Sequence, residues 1–291
     1  MYILITVIWG TTWFAIKISL ETFPPLIGGG IRFLVAATIL GLVVWFKKLH
    51  LPLTRRAIAV YVYMGLFSCV FPFWFVNWGE KYVASGMAAV LFALYPFAIV
   101  IFTRIALPDE SIGIRKVVGL IIGFSGIATI FSDSFTGTFN NNILGMLAIL
   151  ASAVLQGTVG VFVKRYGHDI NAISLNFVPM FIGAIGSFFL ALFFEDKSMV
   201  HPTVHGILSV VYLGIFGSVI AFTSYYWLLK RMNIVVLSFS SFITPIVALL
   251  VGWIFLNEYL TKNHFYGSLL VLIGLLVTNI TFTRRKKLIA D

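Results

Sequence analysis

Charge is what this 291-residue chain has least of: only 10 % of its residues are Asp, Glu, Lys or Arg. A soluble domain is about a quarter charged, so composition excludes one. One cysteine, Cys69, excludes an intrachain disulfide and leaves the redox compartment open. There is no Gly-x-x-x-x-Gly-Lys-[Ser/Thr] and no polar stretch to hold one, which excludes an ATP-driven pump built from this chain alone. Nor is there a Gly-x-Ser-x-Gly or a His-Glu-x-x-His. His50, His168, His201, His205 and His264 lie in or beside loops, as do Asp109, Asp133, Asp169, Asp196 and Asp291. An enzyme would need a nucleophile and base, paired carboxylates or metal ligands at depth. No catalytic residue, metal ligand or cofactor is therefore expected. The ten-residue alternating segments of a membrane barrel are also absent.

What the chain has is apolar length. It is 60 % hydrophobic with a mean hydropathy of +1.04. Uncharged runs such as Val83 to Thr103, Ile170 to Phe194, Gly206 to Leu229 and Met232 to Asn257 each cross about 30 Å of hydrocarbon as a helix. The predicted fold class is an all-α polytopic membrane protein with ten spans, near 2–20, 27–46, 57–79, 82–106, 112–132, 142–163, 170–194, 205–229, 232–256 and 264–283. Pro24-Pro25, Pro52, Pro108, Asn140 to Asn142 and Pro202 punctuate them. The first run begins at residue 2 with no charged segment before it and reads as a span, not a cleaved signal.

The net charge of +10 orients these helices and is not a nucleic-acid signal. Alternate loops hold Lys47, Lys48, Arg55 and Arg56; Arg104, Arg115 and Lys116; Lys164 and Arg165; Lys230 and Arg231; and Arg284 to Lys287. The intervening loops hold only Lys81, Lys197 and Lys262. The positive-inside rule puts the rich set, and with it both termini, in the cytoplasm.

The chain also repeats itself. Trp78/Trp227, Lys81/Lys230 and Pro96/Pro245 are 149 residues apart; Glu110/Glu258, Gly119/Gly267 and Gly126/Gly274 are 148 apart. Two units, 1–136 and 137–291, are expected. Five spans per unit is odd, so the second copy enters the membrane from the opposite side. Inverted repeats of this kind build many secondary transporters, with the solute site near the midplane between the halves.

These residues resemble the drug/metabolite transporter superfamily, in particular the ten-span EamA-type permeases. The likeness lies in Ile8-Trp9-Gly10 with Lys17, in Pro24-Pro25 followed by Ile31-Arg32-Phe33-Leu34, and in Lys81 to Ala89 followed by Pro96. Leu107-Pro108-Asp109-Glu110 and Leu256-Asn257-Glu258 stand where the family usually has Leu-Gly-Glu. The resemblance spans nearly the whole chain and rests on order, spacing and duplication. It implies an exporter of metabolites or drugs in the bacterial inner membrane, with a cavity between the first, third, fourth, sixth, eighth and ninth spans. It names no one solute. A passive facilitator remains the alternative reading, because alternating access is not written in residues.

Several side chains are candidates to meet a solute. Lys17 and Arg32 are charges inside apolar spans, where such groups face a cavity or a partner. They would form a positive outer vestibule for a carboxylate, or serve as structural pairs with Glu21, Glu80 or a helix end. Asn77, Trp78 and Glu80 close the third span, and Tyr225, Tyr226 and Trp227 the eighth. Aromatic walls suit an amphipathic solute, although the same residues form interfacial belts. Asn77, Trp78 and Tyr226 are taken as contacts, and Glu80 as the candidate for proton coupling. Tyr95-Pro96 and Thr244-Pro245 interrupt the fourth and ninth spans, where Ser241 and Thr244 lie on a hydroxyl face; Pro96 and Pro245 are the expected hinges. Gln156 is a lone buried amide that binds solute or bridges helices. Gly119, Gly123, Gly126, Gly267 and Gly274 are packing surface, or the face of a homodimer. Glu110 and Glu258 are read as acids at the N-termini of the helices that follow them. The expected partners are a small-molecule substrate and the lipid bilayer. Protons are the default coupling ion, yet no carboxylate lies at the midplane, which leaves exchange open.

Overall fold

The computed structural model describes residues 2–106, 114–132, 140–167, 169–229 and 240–279. Every regular element among them is helical. In order they are α1 (Tyr2–Leu20), α2 (Pro25–Phe46), α3 (Arg55–Met64), α4 (Phe71–Gly79), α5 (Ser85–Phe92), α6 (Tyr95–Ala106), α7 (Ile114–Ser132) and α8 (Asn141–Tyr166). Then come α9 (Ser174–Phe194), α10 (Val204–Tyr212), α11 (Ala221–Leu229), α12 (Ser240–Leu256) and α13 (Lys262–Asn279). Seven rods are long and apolar enough to cross a bilayer: Tyr2–Leu20, Pro25–Phe46, Arg55–Glu80, Ser85–Phe102, Asn141–Tyr166, Ser174–Phe194 and Val204–Leu228. Val117–Ser132, Ile243–Leu256 and Lys262–Val277 are shorter apolar helices. The molecule is a polytopic helical membrane protein. Helices satisfy every backbone group within one segment, which hydrocarbon demands.

Two rods contain a wider turn. Gly65–Val70 joins α3 to α4, and Leu213–Ile220 joins α10 to α11, each as a π-helical segment. π turns inside α-helices recur at functional sites. They stand at matching places in the two halves, and Ser68 and Ser218, 150 residues apart, are buried within them.

The rods pack in long pairs: α7 on α13, α2 on α9, α1 on α12, and α4 and α6 on α8. Glycines set the closest approaches. A Cβ on Gly126 would meet the Gly267 carbonyl oxygen at 2.6 Å, and one on Gly274 would meet the Gly119 oxygen at 2.6 Å. The stripe considered for a dimer face is thus covered within the chain, by α7 lying on α13. Apolar side chains left exposed, such as Phe181, Ile185, Phe189 and Leu192 on α9, form a face suited to lipid.

Loops tie the halves together at both ends. At one end Arg56 donates to the carbonyls of Tyr166 and Arg165 and pairs with Asp169 at 3.6 Å, while Asn171 donates to the His50 carbonyl. At the other, Thr22 and Thr203 share a 2.7 Å hydroxyl contact, and His201 N–H donates to the Thr22 carbonyl. Several helix starts are capped by their own N-cap residue: Thr54, Asn140 and Thr203 each accept from the N–H three residues on. α2 and α5 are among those that are not, because their N-caps, Pro24 and Ala84, have no side-chain acceptor.

Candidate functional site

Distant carboxylates supply the two missing caps. Glu195, after α9, accepts from Leu26 and Ile27 N–H at 2.7 and 3.0 Å. Burial pushes this carboxyl above its ordinary range, and the two N–H groups pull it back. Glu258, after α12, accepts from Ser85 N–H (2.7 Å), Ser85 Oγ (2.9 Å) and Gly86 N–H (3.1 Å). The reading of Glu258 as an acid at a helix N-terminus is right in its physics and wrong in its helix. The carboxylate faces the dipole of α5, not of α13, which begins at Lys262. Asn257 just before it has φ 52°. Asn tolerates that left-handed conformation, so it turns the chain as the usual glycine would. Glu110 lies outside the described residues.

Lys17 has a structural post. Its Nζ donates to the carbonyl of Glu80 and, at 3.1 Å, to that of Val83. It holds the end of α4 and the start of the next rod, and not Glu21. Removing it strips a charged donor from two carbonyls at a helix end. Lys17→Met should lower stability by about 1–3 kcal/mol, read as a lower unfolding midpoint in nanodiscs. Transport per folded molecule should stay near wild type; a large loss there with an unchanged midpoint would return Lys17 to the solute path.

Glu80 is fully buried, and neither carboxylate oxygen has a hydrogen-bond partner among the described residues. Lys17, Glu258 and Arg32 are in electrostatic reach of it. Asn77 donates from Nδ2 to the Pro25 carbonyl at 2.9 Å, joining α4 to the start of α2; its Oδ1 has no partner among the described residues. Trp78 packs on Tyr82 near this same end. Gln156 takes the bridging role. Its Oε1 accepts from Ser68 Oγ at 2.9 Å and its Nε2 donates to the Ser68 carbonyl at 3.1 Å, inside the first π segment.

The expected hinges differ. The rod of α5 and α6 breaks at Ala93-Leu94, and Pro96 opens α6, where the missing N–H costs nothing. Pro245 is buried inside a continuous α12. Gly10 brings α1 onto this stretch, where an added Cβ would stand 3.3 Å from the Thr244 carbonyl oxygen. The side chain of Ser241 lies outside the described set.

The broken rod carries the aromatic part of the site. Tyr95 Oη is 3.0 Å from Tyr225 Oη, the contact that joins α6 to α11. Tyr95 stacks near Phe92 at 6.2 Å, and Phe92 meets Trp13 at 5.4 Å. Tyr225 meets Trp9 at 5.4 Å, and Trp9 meets Phe222 at 5.6 Å. A cluster of rings from α1, α5, α6 and α11 thus gathers beside the break, with Tyr95 and Tyr225 as paired hydroxyls. Tyr226 points elsewhere: it is 8 % exposed and packs in a core with Tyr61, Val159 and Val163. The residue in the ring cluster is its neighbour Tyr225. Trp9, Phe92 and Phe222 were not singled out; Ile8-Trp9-Gly10 was the signal that could have found the first. A separate cavity of about 410 Å³ between α6, α7 and α8, lined by residues such as Phe97, Phe124 and Leu147, offers only apolar side chains and nothing to orient a solute.

Arg32 lies deeper than the other charges, about 10 Å along α2 from Pro25 at 1.5 Å per residue. It is 3 % exposed, donates from Nε to Ser218 Oγ at 2.9 Å, and lies 4.4 Å over the Phe73 ring.

Comparison with known proteins adds to this geometry. A family model described as the EamA-like transporter family matches residues 1–132 and 143–280. The uncharacterized transporter YoaV of Bacillus subtilis is 27 % identical over 97 % of this chain and 96 % of its own. Protein PagO of Salmonella typhimurium is 28 % identical over 95 % and 90 %, and the uncharacterized inner membrane transporter YedA of Escherichia coli K12 is 29 % identical over 88 % and 82 %. One crystal structure, 21 % identical, shares the fold with a TM-score of 0.68 over 95 % of this chain and 94 % of that one.

Proposed function

Because this chain belongs to the EamA-like transporter family and is a multi-pass membrane transporter, we propose that it is a secondary carrier exporting small amphipathic metabolites, such as amino acids or drug-like solutes, across the inner membrane. The proposed topology is ten spans in two inverted units, 1–136 and 137–291, with both termini in the cytoplasm. The loop charges support that orientation. YedA, described as an inner membrane transporter, supports the location. YoaV and YedA are named as transporters, in line with a protein that moves its solute unchanged.

One observation supports the solute class above the rest: the rings of Trp9, Phe92, Tyr95 and Tyr225 gather where the α5–α6 rod breaks. Broken helices near the midplane of inverted repeats are where transporters bind solute. Rings give apolar area, and paired hydroxyls give an amphipathic solute a polar handle. The Pro96 break is the proposed hinge on one side, and the α12 segment at Thr244 and Pro245 the wall opposite it. The test is a metabolite-resistance screen in an overexpressing strain, followed by counterflow of the hit in proteoliposomes with and without a pH gradient. Saturable counterflow, with concentrative uptake only under a gradient, is the expected result. Non-saturable flux without counterflow would replace the carrier with a passive facilitator.

A further inference from the structure

We propose that Arg32 is the anchor for a carboxylate on the transported solute, so that the substrate class is carboxylate-bearing amphipaths and not amines or neutral drugs. This deepens the carrier reading above and rests on it.

Two cations lie inside the spans at this end, and the structure separates their roles. Lys17 spends its ammonium on the carbonyls of Glu80 and Val83. The Arg32 guanidinium is held at one edge and one face only. Nε is fixed by Ser218 in the second π segment, and the plane lies over Phe73, which Phe33 braces at 5.0 Å in a T-shaped contact. Nη1 and Nη2 donate to no acceptor among the described residues, and no carboxylate there lies within 4.0 Å of them. Glu80 is in electrostatic reach yet forms no ion pair with Arg32.

A buried, always-charged group without a counter-ion is costly, and it persists where a function keeps it. The edge left open is the fork of two parallel N–H donors that matches a carboxylate bidentately. Its setting is central. α2 contributes Arg32, the π segment before α11 contributes Ser218, α4 contributes Phe73, and α1 approaches through Thr12, whose Cγ2 would stand 2.9 Å from a Cβ on Gly217. Ser218 and Phe73 are positioning residues, which aim the fork without touching solute.

The experiment is counterflow in proteoliposomes with two matched pairs, L-phenylalanine and 3-phenylpropanoate against their primary amides, together with thermal stabilisation of the purified protein by the same four compounds. Wild type should prefer each acid over its amide by roughly 10-fold or more, the scale of a charge-assisted pair. Arg32→Gln should bring the preference to about one while amide flux persists, and Arg32→Lys should restore only part of it, lacking the fork. Should Arg32→Gln fail to fold, Ser218→Ala decides: it keeps the guanidinium, frees Nε, and should lower the preference by about 3-fold, the scale of one hydrogen bond. Equal use of acid and amide by wild type, or an acid preference unchanged in the variants, overturns the anchor and leaves the carrier standing. Wild type that carries and binds none of the four compounds overturns the anchor and the proposed solute class together.

Discussion

Gly274→Val should sharply lower the yield of folded protein after extraction. A single Cβ at 274 already meets the Gly119 carbonyl oxygen and the Gly123 nitrogen at 2.6 Å each. Both are backbone atoms of α7, which no rotamer change can move. The branched side chain must push α13 off α7 along the length over which they pack. Overpacking of this kind costs about 3 kcal/mol or more, a large share of the roughly 5–15 kcal/mol that holds a folded protein. Gly160→Ala is the matched control, since its nearest neighbour would be the end of the Ile99 side chain at 3.5 Å, an ordinary contact. Size-exclusion profiles in mild detergent read both. A monodisperse Gly274→Val protein would mean that α7 and α13 are not locked by their glycines.

Glu258→Ala should be the most damaging single loss of a polar group. Its carboxylate takes three donors at the start of α5, and Ala84 offers that helix no cap of its own. Loss of charged hydrogen bonds to two backbone N–H groups and a hydroxyl should cost about 2–3 kcal/mol. It also releases the loop after α12 from the start of the α5–α6 rod. Glu258→Gln keeps one acceptor and should lose less, and Ser85→Ala, which removes one donor alone, least of all. Unfolding midpoints in nanodiscs that fail to follow this order would remove the cap from the account.

What the chain could say of itself follows from range. Hydrophobic runs and glycine pairs are local or periodic signals, and they mark apolar helices and close-packing faces; that α7 lies on α13 is a tertiary fact. Pro96 and Pro245 look alike as residues. Only the first adjoins a break, because whether a helix parts at proline depends on what meets the freed carbonyl, and that is tertiary. The caps on α2 and α5 come from acids 169 and 173 residues away in the chain; nothing beside Leu26 or Ser85 announces them beyond the lack of a local acceptor at Pro24 and Ala84. Tyr225 and Tyr226 are adjacent, and a choice between them needs the rotation of the helix, which the π segment alters just before them. From sequence, Lys17 and Arg32 read alike, either as a positive vestibule or as structural pairs. Their acceptors divide them into a helix-end clamp and an open fork.

The central claim, a proposal, is that solute passes along the ring cluster between α1, the α5–α6 break and α11. Its most direct test is thiol accessibility at Phe222, whose ring meets Trp9. Phe222→Cys is made in a Cys69→Ser background, because Cys69 is the chain's one native thiol. A membrane-impermeant thiol reagent is applied to right-side-out and to inside-out vesicles, with and without the transported solute. The account predicts labelling from each side, slowed from both by solute. Labelling from one side only, at a rate that solute leaves unchanged, would contradict it.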